Sequence, residues 1–67
     1  MKLGSTVEIL IDVRDNFGDI HSAGELAKVV AHAKRDETEI VQIEFRNVCV
    51  FKRGRATVDI SKVKLYE

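Results

Sequence analysis

Val7, Ile9, Ile11 and Val13 occupy every second position of residues 6–14, with Glu8, Asp12 and Arg14 between them. Successive side chains of an extended strand point to opposite faces, so this alternation dries one face and wets the other. Leu10 is the one apolar residue on the wet face. Asp15-Asn16-Phe17-Gly18-Asp19 then ends the strand with turn-forming residues. Val41, Ile43 and Phe45 repeat the period against Gln42, Glu44 and Arg46, and the same parity runs on through Asn47, Cys49 and Phe51. No glycine or proline interrupts this second run, so one long bent strand over residues 40–52 is as reasonable as a turn at Asn47.

Residues 22–35 read differently. Ser22-Ala23-Gly24-Glu25 has the form of a capping box, in which the Ser22 hydroxyl and the Glu25 carboxylate each accept from the other's amide. Leu26, Val29, Val30 and Ala33 follow at helical spacing, and Lys34 and Arg35 sit where a helix dipole favours cations. This predicts a helix over residues 22–35. Ala27, Val29, Ala31 and Ala33 also alternate with Lys28, His32 and Lys34, as a strand would, but Val30 breaks that alternation.

The segment from Val48 to Ile60 places two β-branched runs around Lys52-Arg53-Gly54-Arg55. It predicts a hairpin with Gly54 supplying positive φ at the turn, so that Phe51 pairs with Ala56 and Cys49 with Val58. Ala56, Val58 and Ile60 then share the core face, and Val48 and Val50 point outward. After Ser61 the parity shifts to Val63 and Leu65, which implies a bulge or a short extra strand. The expected fold class is α+β: a small β-α-β-β sandwich with one helix on a three- to four-stranded mixed sheet. If residues 22–35 are a strand instead, Gly4-x-x-Val7-x-Ile9, Gly24-x-x-x-x-Val29 and Val63-x-Leu65 resemble an all-β SH3-like barrel.

At 67 residues the chain makes a single small domain, 1–67. A domain of that size buries only about 60% of its unfolded surface. One cysteine allows no internal disulfide and fits a reducing, cytoplasmic setting. No signal-peptide core follows Met1-Lys2-Leu3-Gly4, and no apolar run has membrane-spanning length. Net charge is zero but uneven, −2 over residues 1–33 and +2 over residues 34–67.

Chemistry-bearing motifs are scarce. His21, His32 and Cys49 lack metal-ligand spacing, and no nucleophile–base pair or phosphate loop occurs, so the expectation is no enzyme, no cofactor and no metal. Gly18-Asp19-Ile20-His21-Ser22 before a helix, followed by strands, resembles the N-terminal half of the histidine phosphocarrier family, which implies a phosphorylatable His21. Ser22-Ala23 stands where that family carries Arg-Pro. The plainer reading of His21 is a loop histidine at a helix entry, and that of Asp12 and Asp15 is solvated carboxylates.

Two surfaces remain. Leu10, Val48 and Val50 form an apolar outward set of the kind that marks a protein interface or a homodimer contact. Arg46, Lys52, Arg53, Arg55, Lys62 and Lys64 face only Asp59 between Phe45 and Lys64, a candidate track for a nucleic-acid backbone. The first carries the functional expectation: a small non-enzymatic interaction module binding through an open sheet face or edge. By layout it resembles small stand-alone inhibitor or accessory proteins of phages and mobile elements.

Overall fold

A computed structural model of the protein describes residues 1–45 and 53–66. The described residues contain no α-helix. Seven strands form instead: β1 (Thr6–Ile9), β2 (Val13–Arg14), β3 (Ile20–His21), β4 (Leu26–Arg35), β5 (Thr38–Phe45), β6 (Arg55–Asp59) and β7 (Val63–Leu65), with a 3-10 turn at Ile60–Lys62. The main sheet runs β6-β5-β4-β1-β7, antiparallel throughout, and β2 pairs with β3 as a separate ribbon. This overturns the α+β class and is compatible with the all-β, SH3-like alternative.

The expected helix over residues 22–35 is a turn followed by β4. Its backbone is claimed from both sides, by β1 at Leu26–Lys28 and by β5 along its length. These long-range ladders outweigh the local helical spacing. Val30, which spoils the strand alternation in the sequence, is the extra residue of a β-bulge: Val29 pairs with Ile43, and the next pair is Ala31 with Gln42. Ala27 and Val29 are buried, while Leu26, which a helix would have buried, is exposed. The capping box dissolves with the helix, because the Glu25 carboxylate meets His21 instead.

Other boundaries move for similar reasons. The first alternating run splits after Ile9, and Ile11 is exposed although its parity matched the core. Val7, Ile9, Val13, Val41, Ile43 and Phe45 are buried as the period predicts, joined by Ala27, Val29 and Val63. Ala56, Val58 and Ile60 pack against that core from one face of the chain, as their parity requires. Among the described residues their neighbours are on β5: Ala56 lies opposite Ile43 and Val58 opposite Val41. The expected partners Phe51 and Cys49 lie outside the described residues. The parity shift after Ser61 is the 3-10 turn, capped by Asp59 accepting from the Ser61 amide, and β7 is the short strand that follows.

Beyond the bulge, β4 and β5 continue as a hairpin whose β4 side, His32 to Arg35, is exposed throughout. Its two-residue turn is Asp36-Glu37, both at positive φ (49° and 67°) where Asn-Gly is the favoured pair. Lys34 opposite Glu39 places unlike charges across the strands near the tip.

Candidate functional site

The connection from β1 to β4, residues 10–25, is fastened at three places. At its base the Ile9 amide donates to the Glu25 carbonyl (3.0 Å) and the Gly24 amide to the Ile9 carbonyl (2.8 Å). In the middle, β2 and β3 pair Val13 with His21 and Arg14 with Ile20, turning Val13 and His21 inward. At the tip, the Asn16 amide donates to the Arg55 carbonyl (2.9 Å), and the Arg55 amide donates to the Asn16 side-chain oxygen (2.7 Å). Asn16 thus stands where a further strand would pair with β6, and it closes that end of the sheet edge.

Asp15 and His21 form the centre of this arrangement, and both are buried. One Asp15 oxygen accepts from the Phe17 amide (2.8 Å) and the Asp19 amide (3.0 Å), which folds the turn around the carboxylate. The other oxygen meets His21 Nε2 at 2.7 Å. His21 Nδ1 bonds the carboxylate of Glu25, so the ring is held between two acids. Its face stacks on Phe45, with centroids 3.7 Å apart and planes within 5°. Gly54 lies directly against Asp15: a Cβ built there would stand 2.0 Å from the carboxylate Oδ2. Gly54 is required for this close approach and does not have positive φ, which corrects the turn role expected from the sequence.

The charges follow from the geometry. The hydrogen bond from His21 is the main reason the Asp15 pKa lies below its ordinary 3.8, helped by the Phe17 and Asp19 amides against the opposing effect of burial. For His21, burial disfavours the cation, but the bonds and charges of Asp15 and Glu25 together outweigh it and raise the pKa above 6.5. A raised histidine contributes stability that is complete below 6.5 and lost as pH rises through the folded value; a lowered aspartate contributes above 3.8 and loses it as pH falls through its folded value. The pair therefore stabilises the fold most between about pH 3.8 and 6.5. The melting temperature is expected to peak in that window, and the alkaline fall to vanish in His21→Gln. An unchanged alkaline slope in that variant assigns it to other groups.

Both His21 nitrogens are committed to carboxylates on opposite sides of the ring, so the three groups do not converge on a metal position, and no such group of ligands occurs among the described residues. Residues 22–25 form a turn, so no helix N-terminus faces His21 as the phosphocarrier resemblance implied.

Of the residues the sequence assigned to a protein interface, Leu10 is exposed at the start of the connection, joined by Ile11, Phe17 and Ile20, the last 64% exposed. Val48 and Val50 lie outside the described residues, as do Arg46 and Lys52 of the basic track. Arg53 and Arg55 both reach Glu44, at 3.6 and 3.0 Å. Lys28 pairs with Glu44 across the sheet and Lys64 with Glu8, so the outer face carries alternating signs rather than a basic stripe. Lys62 is exposed on the 3-10 turn. A shallow depression of about 350 Å³ on this face is lined by Thr6, Leu26, Ala27, Lys28 and Glu44.

The sequence presents His21 as a loop histidine at a helix entry and Asp15 as a solvated carboxylate, whereas the structure buries both as a pair. One signal was present: Asp15 continues the inward parity of Val7, Ile9 and Val13. No described helix is long and apolar enough to cross a membrane. Comparison of the chain with protein-family models, curated proteins and solved structures finds no match.

Proposed function

We propose that this chain is a small non-enzymatic interaction module, acting in the cytoplasm, that docks a protein partner through Leu10, Ile11 and Ile20 on the β1–β4 connection. The observation behind this reading is a loop bonded at three places that nonetheless turns large apolar side chains to solvent. Rigid scaffolds that present exposed residues on loops lose little entropy when a partner binds. Docking by strand addition has less support. Asn16 blocks β6 at Arg55, and β7 is three residues long. The non-enzymatic part is supported by the protonated His21, whose ring nitrogens both donate to carboxylates and offer no base.

A nucleic-acid reading has less to stand on, because Arg53 and Arg55 share Glu44 and phosphate contact would have to compete with it. The two readings separate in one set of variants. Leu10→Asp with Ile20→Asp should abolish self-association in sedimentation, or the partner recovered by crosslinking, while stability changes by only about 0.5 kcal/mol, as for exposed sites. Arg53→Ala with Arg55→Ala should leave that complex intact. The proposal fails if the apolar double variant keeps its partner, or if the arginine variant alone loses it together with a salt-sensitive gel shift.

A further inference from the structure

We propose that His21 is a proton-operated clamp on the β1–β4 connection: the protonated ring ties Glu25 to Asp15, and the neutral ring releases Glu25 and loosens the turn at residues 22–25. This assigns a means of regulation to the docking surface, and for that purpose alone it rests on the docking reading.

The two protonation states of His21 differ in the number of donors they offer. Two carboxylates meet two ring nitrogens, Asp15 at Nε2 and Glu25 at Nδ1. An imidazolium has an N–H for each, whereas a neutral imidazole has one. On deprotonation, one carboxylate must therefore face a bare nitrogen lone pair. The two acids differ in what they can do about it. The Asp15 side chain is fully shielded from solvent, and an unpaired carboxylate oxygen there has no water to turn to. The Glu25 side chain is 43% exposed and can swing into water. The proton accordingly stays on Nε2, and Glu25 leaves.

The groups around the ring do not disturb this assignment. Phe45 from β5 and Val13 from β2 carry no charge, and the charged groups that act on His21 are Asp15 and Glu25. Glu25 matters to the loop because its backbone closes it: its amide donates to the Ser22 carbonyl and its carbonyl accepts from Ile9. Gly24 donates to Ile9 from the same turn, and the Ala23 amide donates to the Asp12 carboxylate. Releasing the Glu25 side chain removes a tether from the segment that runs beside Leu10 and Ile11.

The test uses the isolated full chain, labelled with ¹⁵N. Long-range spectra of the His21 ring report its tautomer through the titration. Amide exchange, corrected for its intrinsic pH dependence, reports the turn. Above the His21 pKa the expected result is an Nε2–H tautomer and about a tenfold loss of protection at Gly24 and Glu25, as for one lost charge-assisted hydrogen bond. Ile43 and Phe45 should keep theirs. In Glu25→Gln the side-chain amide can donate to a bare Nδ1, so protection of the turn should no longer depend on pH. An Nδ1–H tautomer overturns the clamp, as does equal protection of the turn on both sides of the titration, or a pH dependence that persists in Glu25→Gln. No partner enters the experiment, so its failure leaves the docking reading standing, and loss of docking leaves the clamp.

Discussion

Gly54→Ala is expected to cost about 3 kcal/mol, the upper end for forcing atoms into a packed site. The new methyl would sit 2.0 Å from Asp15 Oδ2, 2.6 Å from Cγ and 2.9 Å from Cβ, so no rotation of the carboxylate alone relieves the contact. Asp15 must move, and with it go the bonds to His21 and to the Phe17 and Asp19 amides. Backbone retreat is restricted as well, since the Gly54 carbonyl accepts from the Phe45 amide at 2.7 Å. Urea denaturation measures the loss. Gly54→Ala and Asp15→Ala should also be strongly non-additive, because each disrupts the same contact. A Gly54→Ala protein as stable as the parent would show that the connection can detach from β5 and β6 without consequence.

Phe45→Ala is expected to leave the chain largely unfolded at room temperature. Phe45 is the largest fully buried side chain among the described residues, and it supports both the sheet core and the His21 ring. Truncating a buried phenylalanine costs about 3–5 kcal/mol. A single core in a domain this small supplies roughly the same amount. Loss of dispersed amide signals in a proton–nitrogen spectrum would record the collapse. Phe45→Leu separates volume from stacking: it should remain folded while the His21 pKa drops, because a cation on an aromatic face is stabilised by it. A folded Phe45→Ala protein would mean that the core lies elsewhere.

How much of this was legible in the sequence can be seen residue by residue. Period-two alternation marked Val7, Ile9, Val13, Val41, Ile43 and Phe45 as buried, and parity put Ala56, Val58 and Ile60 on the core side. Strand position and facing are local properties, set by which side of an extended chain each residue takes. The helix over residues 22–35 failed because the segment satisfies two periods at once, and a bulge at Val30 disguised one of them. Only the neighbours β1 and β5 could decide between them, by pairing with its backbone. At the candidate site, Leu10 was visible as an apolar residue out of phase, and it is exposed. The Asp15–His21–Glu25 cluster was invisible as a unit, since its stacking partner Phe45 and its close neighbour Gly54 come from distant parts of the chain.

By itself, then, the sequence determined the strand-forming periods, most of the core residues, and a composition with no disulfide to staple it. The tertiary structure decided that residues 26–35 extend rather than coil, that β6 pairs with β5, and that Gly54 serves proximity instead of a turn. The physical reason is the same in each case. Periodicity records which side of a chain seeks to be dry, whereas partner choice depends on backbone groups and buried charges that must be satisfied by residues far away in sequence.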